Sequence, residues 1–113
     1  MSSDSPKKFQ FMVYAPDMTD EGAFQRRLSV REKHLADAKA KHVTGFVKLG
    51  GALLTPESIV TPDASKKMVG SMMIFEAANI KEVENVIKGD IYYTSGVWDP
   101  EKIVILPFAA APL

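Results

Sequence analysis

Residues 27–35 read RLSVREKHL and lie in the middle of a segment with helical periodicity. Positions three and four apart share one face of a helix, so Arg27, Arg31 and His34 are expected to lie in one line. The same spacing places Leu28 and Leu35 in a neighbouring apolar line, which we expect to face the core. The two arginines and the histidine then form either a solvated edge or the rim of an anion-binding pocket.

The segments before and around this stretch indicate a strand followed by a long helix. Residues 8–15, KFQFMVYA, alternate with the period of a strand, and Pro16 is expected to end it. Thr19 and Asp20 are candidate caps for a helix over residues 23–43.

Residues 46–108 contain a second set of elements in the order strand, strand, helix, strand. Gly50 and Gly51 fall inside the first of these strands, where paired glycines indicate a bulge or a close approach to the backbone. Asn79 and Glu82 form a capping box for the helix. The predicted elements are strands over 46–54, 68–77 and 102–107, a loop over 55–67, a helix from 79 to 89 and an aromatic loop over 90–100.

The full order of elements predicts an α+β fold, the ferredoxin-like βαββαβ arrangement with one antiparallel sheet. Both helices cover the same face of such a sheet. The other face would expose many apolar side chains, so we expect a second copy to cover it in a homodimer.

Length and composition limit the possible classes of protein. The 113 residues suit one domain over 8–108, with a disordered tail at 1–7 and a C-terminal tail at 109–113. Fourteen basic residues balance fourteen acidic ones, so no nucleic-acid or membrane partner is expected. The chain has no cysteine, no metal-binding spacing and no nucleotide-binding motif, and we expect neither a metal nor a cofactor. No signal peptide or membrane span is evident, and a cytoplasmic location is expected.

Four stretches carry a resemblance to a known family. They are VYAPD at 13–17, RRLSVREKHL at 26–35, GSMMIF at 70–75 and DIYYTSGVWDPEKIVILPF at 90–108. Arg27, Arg31, His34 and Leu35 fall at the R-x-x-x-R-x-x-H-L positions of the YCII (YciI-like) family, which the chain resembles over about residues 9–108. This family belongs to the dimeric α/β-barrel superfamily.

The resemblance implies a homodimer with a pocket between the sheet and the first helix. It also implies that the helix histidine, His34, pairs with a carboxylate as a catalytic dyad. The usual aspartate of the family is displaced in this sequence, so the partner of His34 stays open among Asp17, Glu57, Asp63 and Asp90. Some members of the family are linked to elimination of halide from chlorinated hydroxylated aromatics.

Five further residues are candidates for substrate binding. A guanidinium group offers a planar fork of donors for a carboxylate or phenolate, which Arg27 and Arg31 could clamp unless they form structural salt bridges. Ser71 could donate into a pocket, or be structural. Tyr92 and Trp98 could line the wall of an aromatic site, or belong to the core or to a dimer contact.

These observations predict a small cofactor-independent lyase or isomerase acting on an aromatic or polyketide-like substrate. His34 is the side chain suited to exchange a proton near neutral pH. Dehydration, dehydrohalogenation and enol or lactone isomerisation fit, because each needs only proton transfer and charge stabilisation. The alternative is a non-catalytic small-molecule-binding or dimerisation protein. A carboxylate on His34 and a cavity beside it would favour the enzyme.

Overall fold

The computed structural model describes residues 7–113 and contains one four-stranded antiparallel sheet with helices. The strand order is β2-β3-β1-β4. The predicted ferredoxin-like α+β fold is confirmed. The elements are the strands β1 (Phe9–Pro16), β2 (Val47–Leu54), β3 (Met68–Ala77) and β4 (Val104–Phe108), the helices α1 (Ala23–Val43) and α2 (Ile80–Gly89), and the one-turn helix α3 (Ile91–Thr94).

The two ends of the chain bear on the predicted domain limits. Except for Lys7, the predicted tail at 1–7 lies outside the described residues. Residues 109–113 are exposed and form neither helix nor strand. The division into a domain over 8–108 and two tails stays a prediction.

The core lies between one face of the sheet and the helices. Strand alternation sends Phe11 and Val13 of β1 and Phe75 of β3 to this face, where Val83 and Ile87 of α2 pack against them. Full burial of each such side chain contributes about 1.5–3 kcal/mol.

The capping box of α2 forms as predicted. Asn79 Oδ1 accepts a hydrogen bond from the Glu82 backbone N–H at 3.0 Å, and the Glu82 carboxylate accepts one from the Ala78 N–H at 2.9 Å.

Helix α1 faces the core with its polar line, so the predicted orientation of its apolar line is wrong. Leu28 and Leu35 are 42% and 46% exposed, whereas Arg27 and His34 are 2% and 8% exposed. Burial of Arg27 and His34 is tolerated because each has a carboxylate partner, Arg27 with Asp17 and His34 with a residue after α2, whereas Arg31 of the same line is exposed. The sheet thus faces a row of basic groups.

The predicted N-terminal cap of α1 is also wrong. The capping residue is Gly22, which has no side chain to accept a hydrogen bond from the first turn. The Asp20 carboxylate instead accepts two hydrogen bonds from Arg26, both at 2.7 Å, and this ion pair lowers the pKa of Asp20 to about 2. Arg26 also donates to the Gly96 carbonyl, which ties α1 to the loop after α3.

The paired glycines of β2 do not form a bulge. Gly50 and Gly51 pair in register with Met73 and Met72, and the register shifts lie on either side of them. The alternative prediction, a close approach to the backbone, holds at Gly50, where a Cβ atom would lie 3.3 Å from Met73 Cγ.

The segment over 55–67 is organised around buried Ser58. Its hydroxyl accepts a bond from the Lys67 N–H at 2.9 Å, and its carbonyl accepts one from Lys66 Nζ at 2.7 Å. A 3₁₀ turn, Pro56–Ile59, lies within the predicted loop.

The second face of the sheet is apolar and uncovered, as predicted. Its exposed side chains come from three strands and are Tyr14, Leu49, Val104, Leu106 and Phe108. Within residues 7–113, no helix has both the length and the apolar character to cross a membrane. The cytoplasmic location and the absence of a nucleic-acid partner stay predictions.

Candidate functional site

A cavity of about 580 Å³ lies beside the polar line of α1, formed by Arg27, Arg31 and His34. Its volume is within the range of small-molecule sites, about 300–1,000 Å³. The wall from α1 is basic, and the wall from the sheet is largely apolar. Lining residues from α1 include Arg27, Arg31, His34, Ala38, Lys39 and Lys41, and those from the other elements include Val47, Gly50, Gly51, Ser71, Met73, Phe75, Asp90 and Tyr92.

His34 and Asp90 form a hydrogen-bonded pair on the cavity wall. Nδ1 of His34 lies 2.8 Å from Oδ1 of Asp90. Since an ionised carboxylate only accepts hydrogen bonds, the proton of the neutral imidazole lies on Nδ1. Nε2 is then left with a lone pair, and the ring is held in a fixed tautomer.

Asp90 has a second role that fixes its position. It is the N-cap of α3, and its Oδ1 accepts a hydrogen bond from the Tyr92 backbone N–H at 2.9 Å. The carboxylate is thus anchored by the backbone that follows it.

Tyr92 supports the imidazole from one side. The rings of Tyr92 and His34 stack with centroids 3.8 Å apart and an interplanar angle of 12°. The Arg27 guanidinium carbon lies 4.6 Å from the Tyr92 centroid. Burial raises the pKa of the Tyr92 hydroxyl, while Arg27 and Arg31 oppose that shift. The hydroxyl therefore stays protonated at neutral pH.

Arg27 is held in a buried hydrogen-bond network in the wall of the cavity. It donates to the Asp17 carboxylate at 2.8 Å and to the Ser71 hydroxyl at 2.9 Å. The indole N–H of Trp98 also donates to Ser71, at 3.2 Å. Burial raises the pKa of Asp17, and the neighbouring Arg27 opposes this shift. The structural alternative for Arg27, a salt bridge, is the one that the geometry favours.

The structure separates the four candidate partners of His34. Asp90 bonds to its imidazole, whereas Asp17 bonds to Arg27. Glu57 and Asp63 are exposed in the segment after β2 and do not line the cavity. Of the four candidates that the sequence left open, Asp90 lies within hydrogen-bond reach of His34, and the alternatives Asp17, Glu57 and Asp63 are set aside.

The substrate-binding candidates fall into two groups, those that line the cavity and one that is buried in the core. Arg31 is exposed and lines the cavity, and within residues 7–113 no carboxylate lies within 4.0 Å of it. Ser71 and Tyr92 line the cavity as well. Trp98 is fully buried with its edge toward His34, at a centroid distance of 6.0 Å, and is not a lining residue. Its predicted role in lining the wall is corrected to core packing.

Sequence reasoning missed the lysines of the cavity wall. Lys41 lies seven positions after His34, which is two helical turns along the same face, whereas Lys39, five positions after His34, lies roughly 140° away around the helix. The spacing of Lys41 was the available signal. In the part of the chain that the structure describes, no cluster of three or more His, Asp or Glu side chains could hold a metal ion.

Comparison with known proteins agrees with the fold. Fusaric acid biosynthesis protein 2 of Gibberella fujikuroi is 29% identical over 99 residues, which are 88% of this chain and 91% of that protein. Protein YciI of Escherichia coli is 28% identical over 98 residues, which are 87% and 94% of the two chains.

A solved structure shares the fold. It is a 5-chloro-2-hydroxyhydroquinone dehydrochlorinase from Burkholderia phenoliruptrix AC1100 in complex with 2,5-dihydroxybenzoquinone. It superposes with a TM-score of 0.74 at 22% identity and covers 90% of this chain and 95% of its own. The YCII-related domain matches residues 9–108, nearly the whole chain. This protein therefore belongs to the YCII family.

Proposed function

We propose that this protein is a small cofactor-independent lyase or isomerase in which His34 transfers a proton to and from an aromatic or polyketide-like substrate. The observation that carries this proposal is the 2.8 Å contact between His34 Nδ1 and Asp90 Oδ1 on the wall of a cavity. A histidine oriented by a carboxylate and facing a site for a small molecule has the geometry of a general base.

The proposed chemistry begins at His34 Nε2. This atom accepts a proton from an acidic C–H or O–H group of the substrate, and the imidazolium that forms is stabilised by Asp90. Isomerisation returns the proton to a different atom of the substrate. Elimination instead releases halide or water, and the net loss is HCl or H₂O.

Arg31 is proposed to stabilise the oxygen on which negative charge develops. Its guanidinium lies on the cavity wall without a carboxylate partner among residues 7–113, so its donors are available to a ligand. Arg27 is already bound to Asp17 and Ser71 and is proposed to position Tyr92 and the sheet rather than to bind substrate.

The experiment that tests this proposal is an assay of the purified protein against a panel of substrates without added cofactor. Chlorinated hydroxyhydroquinones come first, because the structural neighbour is a dehydrochlorinase of that class. Hydroxylated lactones and β-hydroxy polyketide analogues test isomerisation and dehydration. Chloride release or a change in absorbance that depends on the protein supports the proposal. Binding to the cavity with no turnover of any class would instead favour the non-catalytic binding protein.

We further propose a homodimer formed through the uncovered apolar face of the sheet. The exposed side chains of β1, β2 and β4 form a continuous patch of the kind that a monomer rarely leaves in water.

The prediction for this interface concerns Leu106, an exposed residue of β4. Leu106→Glu places a charge on the part of the patch that β4 contributes, and we expect the mass in solution to fall from twice the 12.4 kDa of one chain to the monomer value. Light scattering after size exclusion measures this. Lys88→Glu on α2 is the matched control. A wild-type protein of monomer mass would contradict the proposed dimer.

A further inference from the structure

The wall of the cavity carries much more positive than negative charge. Its lining contains two arginines and three lysines, against one carboxylate, that of Asp90. Asp90 is bound to His34. Arg27 is neutralised by Asp17, and Lys48 lies 3.7 Å from Glu76.

Three cations of this wall have no carboxylate partner among the residues that the structure describes. Within residues 7–113, no carboxylate lies within 4.0 Å of Arg31, Lys39 or Lys41. Basic side chains in the last turn of a helix are stabilised by its dipole, which accounts in part for Lys41. The dipole does not account for Arg31, which lies near the middle of α1.

The spacing of these cations along α1 sets the length of a ligand that would reach from His34 to the lysines. At a rise of about 1.5 Å per residue, Lys39 and Lys41 lie roughly 8 and 10 Å beyond His34 along the helix axis. Apolar side chains of the opposite wall, among them Val47, Met73 and Phe75, cover the interval. A cavity of about 150 Å³ holds benzene, and this one, at about 580 Å³, holds a body larger than one ring.

We propose that Lys39 and Lys41 form an anion-binding subsite, and that the ligand is an elongated aromatic or polyketide acid. Its carboxylate lies at these lysines, and its hydroxyl or enol oxygen lies at Arg31 and His34. The inference rests on the proposed function only in that the substrate occupies this cavity. It adds the substrate class, an acid whose carboxylate and whose hydroxyl or enol oxygen lie at opposite ends of an apolar body.

The test uses two matched probes, 6-hydroxy-2-naphthoate and 2-naphthol, which differ by the carboxylate. Dissociation constants are measured from chemical shifts in ¹H–¹⁵N spectra, and shifts of the Gly50 and Gly51 amides locate binding to the cavity. We expect the naphthoate to bind about tenfold more tightly than 2-naphthol, as two exposed charge contacts allow.

Variants of the lysines distinguish binding at this subsite from a general effect of the net charge of the protein. Lys39→Gln/Lys41→Gln is expected to remove the tenfold difference and leave binding of 2-naphthol unchanged. Lys33→Gln/Lys88→Gln changes the net charge equally outside the cavity and should preserve the difference. Equal binding of the two probes to wild type, no binding of the naphthoate, or an equal loss in the control pair would overturn the proposal. His34→Gln should keep the difference, so the subsite can be judged even if His34 proves not to be catalytic.

Discussion

Replacing His34 with glutamine is expected to lower kcat by about 10²–10⁴-fold on whichever substrate of the panel is turned over. Glutamine keeps a polar side chain of similar length at this position but cannot accept and return a proton. KM should change less than kcat, because most of the proposed contacts that hold the substrate come from Arg31 and the lysines of the cavity wall. Steady-state kinetics with the far-UV circular dichroism spectrum as a check on folding measures the effect.

Two further variants make this prediction specific. Asp90→Asn keeps a good N-cap for α3 but removes the charge and allows the amide to donate to Nδ1. The tautomer of His34 is then no longer fixed, and a loss of at least about tenfold is expected. His42→Gln changes the other histidine, whose Nδ1 donates to the Val47 carbonyl at 2.8 Å, and should lower kcat far less. A His34→Gln enzyme within threefold of wild type would rule out its role as base, since a threefold change is well below the roughly 10²-fold minimum for general base catalysis.

Replacing Arg27 with methionine is expected to lower the free energy of unfolding by about 3–5 kcal/mol at neutral pH. The substitution leaves the Asp17 carboxylate buried without its partner and removes a donor from Ser71. Chemical denaturation followed by circular dichroism measures the change. Arg26→Met, which removes an exposed arginine paired with Asp20, is the matched control and should cost much less.

The pH dependence of this loss has a definite sign. Burial raises the pKa of Asp17 above its usual value of 3.8, and loss of Arg27 removes the group that opposes the shift. A carboxyl with a raised pKa in the folded state favours that state when protonated. The destabilisation by Arg27→Met should therefore be small below about pH 4 and grow as the pH rises.

A double variant separates charge burial from packing. Asp17→Leu/Arg27→Met replaces the pair with apolar side chains, and we expect it to be more stable than Arg27→Met alone. A single variant as stable as wild type at pH 7 would contradict the structural role assigned to this ion pair.

The fold was predictable because its signals are local. Strand alternation around Phe11 and Val13, the capping box at Asn79 and Glu82, and the order of elements each depend on neighbours in sequence. They survive in the structure with the limits of α1 and β3 unchanged.

The orientation of α1 was not predictable in the same way. Periodicity places Arg27 and His34 in one line and Leu28 and Leu35 in another, but it does not say which line faces the sheet. The usual rule chooses the leucines. The carboxylates that allow the basic line to be buried come from Asp17 and Asp90, distant in sequence from their partners.

The partner of His34 was not predictable for the same reason, because it depends on contacts between separate segments of the chain. Four carboxylates were candidates from sequence, and their positions in space depend on how the segments after β1, β2 and α2 pack. Asp90 is selected because α2 ends where α1 passes, and because the cap of α3 points its carboxylate at the imidazole.

The most direct test of the proposed role of His34 needs no substrate. Long-range ¹H–¹⁵N spectra of the imidazole report which ring nitrogen carries the proton in the neutral form. We expect the proton on Nδ1 in the wild type, with Nε2 unprotonated, and a mixture of tautomers in Asp90→Asn. A neutral ring with its proton on Nε2 would contradict the proposal. Nε2, the atom proposed to accept the substrate's proton, would then have no lone pair available for it.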